Sequence, residues 1–552
     1  MGIHIKNLFD LFDLLKINKR SFIRKHTLYF IIIIVYSSCS IIYPSFVHFI
    51  IDNGVVAGNK NLIIINCILM VITGVVTVTS DYYLKLFYNK FDISLAIDMK
   101  RQLFRHIIYS NNNFSSSKRV GDLCTSLNSD LGSISTLLTQ EIPNIIKNSL
   151  TFIGVACFVA FYFQWYGLII IVLALLSVLF QNKFGNKIMG ISEKLRMCVG
   201  EQASFETEVL TNLEEIQMSG YRGQVFQKFN HNNDRTKEVN IQSSRIMFLS
   251  YSVGYLMNTL MMLLILVFGA FKSLSGELEV GMLFSLTIYA QRIINPIGSL
   301  VSSYIEIKNV YPLVTKTEKL LNEIIVIHKE ELLIPTDELN QITFKNIRYQ
   351  YPKSQRQIFQ NFNLNISKGG IIGIVGYNGT GKSTLIKLLF KLCEADHGEI
   401  IINQKYNLNQ LDIEYLHKYI GYVGQGGFLF SGKLKEVINP KGLELKKEEM
   451  LEVIDNLNLK VDLFNEELDF NLSENSANVS GGERQKLTLA RLVIEDKPWI
   501  ILDEPTSAMD MESEKVICEY LKKFCQNKTA LIITHREEIL SLCNEVIDLN
   551  YL

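Results

Sequence analysis

None of the nine cysteines stands in C-x-x-C spacing, and none is placed with histidine at metal-site intervals. A chain with no disulfide framework and no thiolate metal centre reads as one made on the reducing side of a membrane, its thiols free. Charge of neither sign is in excess: Lys+Arg and Asp+Glu number 55 each, so bulk charge implies no nucleic acid partner. No tandem repeat or low-complexity tract appears. The first apolar run lacks a small-residue cleavage site and outlasts a signal's apolar core, so it reads as a retained anchor. What the chain has in quantity is apolar sequence: 48% hydrophobic residues among 552, with a mean hydropathy of +0.18. That length allows about three or four domains.

The two parts of the chain differ sharply. Six stretches are long enough to cross about 30 Å of hydrocarbon, at 28–51, 62–84, 142–163, 166–184, 247–271 and 281–301. The second and fourth connections are long and carry Lys100, Arg101, Arg105, Lys118, Arg119, Lys187, Lys194, Arg196, Arg222, Lys228, Arg235 and Lys237. By the positive-inside rule they are cytoplasmic, together with both termini. They read as helix continuations, which carries the spans well beyond the bilayer. Residues 5–15 place Leu8, Phe9, Leu11, Phe12, Leu14 and Leu15 largely on one side of a helix ahead of basic residues, as an interfacial helix would. The organisation expected is a membrane domain over 1–325, a linker over 326–340 and an α/β domain over 341–552.

The α/β part carries Gly376-Tyr377-Asn378-Gly379-Thr380-Gly381-Lys382-Ser383-Thr384, which fits G-x-x-x-x-G-K-[ST]. Before it, Ile371-Ile372-Gly373-Ile374-Val375 reads as a buried strand; after it, Leu385, Ile386, Leu388 and Leu389 recur at helical spacing. Glycines let backbone N–H groups turn onto phosphate, the helix N-terminus adds its dipole, Lys382 a point charge and Ser383 a hydroxyl for Mg²⁺. A second apolar strand, Trp499 to Leu502, ends in Asp503 and Glu504. Asp503 suits a Mg²⁺ shell, and Glu504 stands where a base orients an attacking water. Ser480-Gly481-Gly482-Glu483 opens a further helix as a capping box, yet two first-turn glycines cost about 1 kcal/mol each relative to alanine. They make sense if the backbone must approach something closely.

Together these motifs resemble the ATP-binding cassette family: Walker A at Gly376–Thr384, Walker B at Trp499–Glu504 and the signature Val479-Ser480-Gly481-Gly482-Glu483. Six spans followed by one cassette resembles its exporters, over essentially the whole chain. The resemblance implies an α-helical membrane domain of exporter type with a P-loop NTPase domain, ATP and Mg²⁺ as cofactors, and ATP hydrolysis coupled to transport. It implies Tyr351 stacked on adenine, Gln425 reaching Mg²⁺, a D-loop at Ser507-Ala508-Met509-Asp510 and His535 as the switch histidine on the γ-phosphate. It places coupling helices near 114–121 and 211–217, and Glu474 in a cross-talk loop. The chain departs from the family pattern in three places: Glu483 ends the signature, Gly424 replaces a frequent proline, and serines at 473 and 476 replace glycines.

Because one cassette's signature covers another's Walker A in this family, function is expected to need a second half-transporter, with a homodimer the simpler case. The expected setting is membrane lipid, a multi-pass protein of a bacterial cell membrane with its cassette cytoplasmic. The cargo is a peptide, a lipid or an amphipathic small molecule. An ATP-gated channel or peptide-sensing regulator on the same scaffold is the alternative, and intact Glu504 and His535 favour turnover. Too little chain precedes the first span for a leader-removing protease domain. Within the sixth span, Arg292 lies eleven residues after Gly281, about 17 Å deep at 1.5 Å per residue. With Gln291 and Asn295 it lines a cargo cavity or bonds backbone carbonyls at the Pro296 break.

Overall fold

The computed structural model describes residues 19–109, 120–323, 332–351, 354, 356–459, 467–473 and 478–550. The expected interfacial helix at 5–15, nearly all of the 114–121 coupling segment, linker residues 326–331 and Glu474 lie outside the described residues. The chain divides near residue 324 into two compact units.

The first unit is helical. Helix α1, Lys19–Ile42, ends ahead of Pro44, and a short helix (Ser45–His48) runs into a wide-turned stretch, Phe49–Val56. Helix α2, Lys60–Ile108, starts where the Asn59 side chain accepts from Leu62 N at 3.2 Å. Its 49 residues span roughly 74 Å, more than twice a hydrocarbon core, so the second span does continue far past a bilayer. Helix α3 is Ile142–Thr211, α4 Leu213–Met218, α5 Arg222–Leu274 and α6 Val280–Glu323. The short α4 falls on the second expected coupling segment.

Residues 142–211 are helical with no gap, Gln164 and Trp165 included, so the turn that joins the expected third and fourth spans is tight enough to leave no non-helical residue. Gly167 stands two residues past Trp165. The chain nevertheless doubles back. Ser303 Oγ donates to Glu141 Oε2 just before α3, and Arg196 Nη1 donates to Asn309 O at 3.2 Å. A straight helix would hold residues 141 and 196 about 82 Å apart, whereas six residues of α6 cover about 9 Å. Val155 and Val159 pack with Tyr289 and Ile293, so the first arm runs antiparallel to α6 and the reversal falls between Val159 and Arg196.

Among the described residues, four helical stretches are long and apolar enough to cross a membrane: Tyr29–Val56, Lys60–Ile108, Asp122–Phe161 and Arg222–Leu274. The expected fourth span lies in the second arm of α3, most of whose side chains are outside the described set. The expected sixth, in α6, is diluted by Gln291, Arg292 and Asn295. At most 22% of the most apolar window in each of the four stretches is buried. Apolar surface facing outward on this scale needs hydrocarbon, not water, around it.

Beside a two-stranded ribbon of Gly432–Lys433 and Asn471–Leu472, the second unit has two larger sheets among its described residues. Antiparallel strands β1 (Gln341–Gln350), β2 (Gln357–Ser367), β4 (His397–Ile402) and β5 (Tyr406–Asn407) form one, in the order β2-β1-β4-β5. The other is parallel: β9 (Glu545–Asp548), β3 (Ile371–Val375), β8 (Thr529–Ile533), β7 (Trp499–Asp503) and β6 (Ile420–Val423), in that order. Strands β7 and β8 are buried along their whole length, which explains their uninterrupted apolar runs. Residues 332–340, expected as linker, are packed on this unit. Leu339 is buried and its carbonyl accepts from Trp499 Nε1 at 2.8 Å, while Asp337 O accepts from Tyr415 at 2.9 Å.

Candidate functional site: the phosphate cradle

Strand β3 delivers the glycine loop to helix α7, Lys382–Leu389, at the carboxyl edge of the parallel sheet. Gly381 stands before α7 at φ +106°, and a Cβ there would lie 2.5 Å from Ile358 Cγ2, so only glycine fits. No side chain caps the first turn of α7, which leaves its N–H groups open. Lys382 Nζ folds back onto the loop, donating to the carbonyls of Gly376 and Tyr377, and sits 2.9 Å from His535 Nε2. Tyr377, Asn378 and Gly379 are exposed around this hollow, and Thr380 Oγ1 donates to Tyr377 O at 2.9 Å. Tyr351, half-buried, joins its hydroxyl to Thr384 Oγ1 at 3.0 Å under the ammonium of Lys387.

Ser383 Oγ donates to Asp503 Oδ2 at 3.3 Å. Burial pushes the Asp503 carboxyl above the usual carboxylate range, partly offset by that bond and by Lys382. The exposed hydroxyl and buried carboxylate fit a magnesium ion: two hard oxygen donors, one in a place that disfavours its charge without a cation. Glu504 N donates to Ile533 O at 2.8 Å, and the residue is held at φ +52°, a conformation a non-glycine residue adopts at a cost. Its Oε1 is 3.8 Å from His535 Nε2. Burial raises its carboxyl, the His535 ring pulling the other way and Asp503 adding to the rise. Lys382, Ser383, Asp503, Glu504 and His535 therefore converge, as expected from the sequence.

The signature residues have a different neighbourhood. Helix α8, Gly481–Glu495, is closed by the expected capping box: Ser480 Oγ accepts from Glu483 N at 3.2 Å, and Glu483 Oε2 from Ser480 N at 2.7 Å. The close approach that the glycines permit is to this chain's own D-loop. A Cβ on Gly482 would stand 3.1 Å from Ala508 O, and one on Gly481 3.4 Å from Ala508 Cβ. Asp510 caps helix α9, Met511–Phe524, accepting from Ser513 N at 3.2 Å; the Ser513 contacts hold its carboxyl below the ordinary range.

Sequence reasoning missed Gln485. It is 3% exposed, donates through Nε2 to Ser507 Oγ at 2.8 Å and accepts from Ala508 N at 3.0 Å. The same Nε2 lies 3.3 Å from the carbonyls of Glu504 and Gln425. One buried amide thus joins the signature helix, the D-loop, the Glu504 turn and the loop of Gln425, whose own side chain is exposed. The signal was present: Gln485, Leu489 and Leu492 share the buried stripe of α8, where a polar residue must bring its partners with it.

In the helical unit, Arg292 bonds none of the carbonyls expected at the Pro296 break. Its guanidinium donates to Ser40 Oγ of α1 and lies over the Tyr43 ring, 5.3 Å from the centroid. Gln291 and Asn295 are exposed beside it. Asp52, read from sequence as part of a connection, instead caps α6, accepting from Gly281 N at 2.8 Å and Met282 N at 3.0 Å.

A glycine-loop α/β domain and a bundle of outward-apolar helices on one chain define a membrane-embedded, nucleotide-binding protein. Two family models match it: the ABC transporter transmembrane region over residues 27–297 and the ABC transporter domain over 359–507. The chain belongs to the ATP-binding cassette transporters, as an integral membrane protein in the half-transporter arrangement of one membrane region and one cassette. An ATP-dependent lipid A-core flippase of Idiomarina loihiensis is 22% identical over 93% of this chain and 88% of that protein. The alpha-hemolysin translocation protein HlyB of Proteus vulgaris is 26% identical over 92% and 72%. The leukotoxin export protein LtxB of Aggregatibacter actinomycetemcomitans is 27% identical over 82% of this chain, which spans only 64% of its length. A bacterial Atm1-family ABC exporter with ATP bound superposes with a TM-score of 0.81 at 18% identity, over 96% of this chain and 94% of that one, and shares the fold.

Proposed function

We propose that this chain is one half of an ATP-driven exporter that moves a peptide, lipid or amphipathic molecule out of the cytoplasm as a homodimer. The observation that carries the reading is the convergence of Lys382, Ser383, Asp503, Glu504 and His535 at one sheet edge, with no catalytic position degenerate. Lys382 rests on the carbonyls of its own loop, neutral acceptors that cannot keep it against charged phosphate oxygens, so ATP draws it outward. Ser383 and Asp503, with the Gln425 side chain, would hold Mg²⁺, which supplies charge to offset the phosphates. Glu504, its proton affinity raised by burial, orients a water and takes its proton at Oε1, while His535 steadies the γ-phosphate end. Ser480, Gly481, Gly482 and Glu483 face the other chain's nucleotide, Tyr351 its own adenine, and Asp510 belongs to the turn that meets the partner. The cassette is cytoplasmic, α4 docks on the partner's cassette, and the membrane is a bacterial cell membrane. The flippase and toxin exporters among its relatives support a lipid or polypeptide cargo. Arg292, Gln291 and Asn295 line the route of that cargo.

Glu504→Gln in the full chain, reconstituted in lipid, tests the reading. It is expected to keep ATP binding and lose steady-state hydrolysis about 10²–10⁴-fold, accumulating an ATP-closed dimer. Near-normal turnover would remove Glu504 from the role. The same variant gives a second readout without nucleotide. A carboxyl raised in the folded state contributes its stability below the unfolded value and loses it as pH rises through the folded one. Glu504→Gln should therefore melt higher than the parent at pH 8, with the gain fading toward pH 4.

A further inference from the structure

A second group of ligating side chains stands far from the cassette in sequence, where the turn after α1 meets the start of α6. His48 Nδ1 is 2.7 Å from Asp52 Oδ2 and 3.6 Å from Glu279 Oε2, and the three donor atoms lie within 4.8 Å of one another. A neutral imidazole has one hydrogen at most on that nitrogen, and Asp52 is close enough to take it. Glu279 then faces the same nitrogen and a second carboxylate with no proton between them. That arrangement asks for a cation.

Asp52 is built into place rather than drifting in solvent. Its side chain is 8% exposed, and both of its oxygens are aimed by the α6 amides of Gly281 and Met282. A Cβ at 281 would stand 2.5 Å from Asp52 Oδ2, so the approach depends on glycine there. The amides do for Asp52 what outer hydrogen bonds do for metal-ligating carboxylates: they fix its orientation before the ion arrives. His48 is 16% exposed, and Glu279, at 64%, is the open side through which an ion and its water enter.

We propose that His48, Asp52 and Glu279 bind a divalent zinc ion. One imidazole nitrogen and two carboxylate oxygens form a zinc donor set, and a water completes four-coordination. Ligands at about 2.1 Å in a tetrahedron stand about 3.4 Å apart, close to the 3.6 Å of the His48–Glu279 pair, while the 2.7 Å His48–Asp52 pair must open by about 0.7 Å as the metal takes the place of their shared hydrogen. The ion takes the Nδ1 lone pair of the tautomer that carries its hydrogen on Nε2, so the proton that leaves Nδ1 for water is matched by one taken up at Nε2 and the ring stays neutral. By the positive-inside orientation this site is on the face away from the cytoplasm, and the ion would staple the turn after the first span to the start of the sixth.

The test uses the full chain in lipid nanodiscs, without nucleotide and with accessible cysteines alkylated, titrated with ZnCl₂ at pH 7. One site per chain is expected, absent in His48→Ala and at least tenfold weaker in Glu279→Gln. Glu279 is exposed enough that its glutamine variant leaves packing intact, and basal ATPase checks that His48→Ala is folded. Co²⁺ in the same site should give a nitrogen–oxygen visible spectrum without thiolate charge transfer. Equal zinc uptake by the parent and both variants, or a thiolate band that survives His48→Ala, would overturn the proposal.

Discussion

Polar side chains are handled in opposite ways by the two units. In the helical unit they are tied up with one another. Asp81 lies between Lys85 at 2.6 Å and Lys147 at 3.5 Å, Asp92 accepts from Thr136 and Gln140, and Arg292 rests on Ser40 and Tyr43. In the cassette the side chains that matter most stand open: Gln425, Ser383 and His535 are exposed, and Lys382 settles for loop carbonyls. An unmatched polar group beside hydrocarbon costs several kcal/mol, whereas one beside water costs almost nothing. The candidate groups of the cassette are therefore open ones that converge, while in the membrane unit the candidates are the exceptions that stay open among paired ones. Gln291 and Asn295 are such exceptions.

Gln485 is the sharpest test of that contrast, because it is a buried, paired polar group inside the open site. Removing its amide with Gln485→Leu leaves Ala508 N and Ser507 Oγ without it, at about 1–3 kcal/mol for each group left unmatched. The D-loop and the Glu504 carbonyl lose their common anchor. Turnover should fall about 10–100-fold, in kcat more than KM, with ATP binding retained. The isosteric Gln485→Glu, which keeps one oxygen acceptor for Ala508 N, should recover part of the loss. A fall in KM terms alone would make Gln485 a packing residue and the contrast weaker.

The same contrast explains what could be read in advance. Strand β3, the glycine loop, α7 and the Asp503–Glu504 strand end were legible, because buried parallel strands and phosphate loops each leave a local pattern. So were the long helices, from apolar length alone. The reversal in α3 was legible as two arms, but its form was not, since helical residues run up to the turn from both sides with no gap. Asp52 reads as a solvated connection in sequence. Its bonds to Gly281 and Met282 join residues over two hundred positions apart, a pairing that no local pattern contains. Arg292 was recognised as too deep to be idle, yet its partners Ser40 and Tyr43 could not be told from any other hydroxyl and ring.

If the open groups near Arg292 are the membrane unit's working surface, Arg292→Ala should abolish cargo-stimulated ATPase, a change of a few-fold, while basal hydrolysis stays as in the parent. A purely structural arginine predicts the reverse. Losing the Ser40 bond and the Tyr43 contact costs about 1–2 kcal/mol, lowering the melting temperature and leaving the stimulation curve where it was. Gln291→Ala and Asn295→Ala separate the two, because neither side chain is buried and both can be removed without disturbing packing. Stimulation that survives all three changes with unaltered concentration dependence would take the cargo route elsewhere.

The smallest effect concerns Glu483, where the cassette does pair its polar groups. Ser480 and Glu483 exchange bonds across the first turn of α8, so each satisfies an amide that the helix start leaves open. Ser480→Ala removes one half of the exchange and should cost about 1 kcal/mol of cassette stability, within the usual range for a lost cap. Glu483→Gln keeps an oxygen in the same reach and should change stability by under about 0.5 kcal/mol. The pair of variants is read by denaturant melting of the nucleotide-free chain. If glutamine at 483 were as costly as alanine at 480, the charge of Glu483 would be acting on the helix dipole rather than through the bond to Ser480 N. The cap would then weaken with salt, and a melt repeated at high ionic strength would bring the Glu483→Gln variant level with the parent.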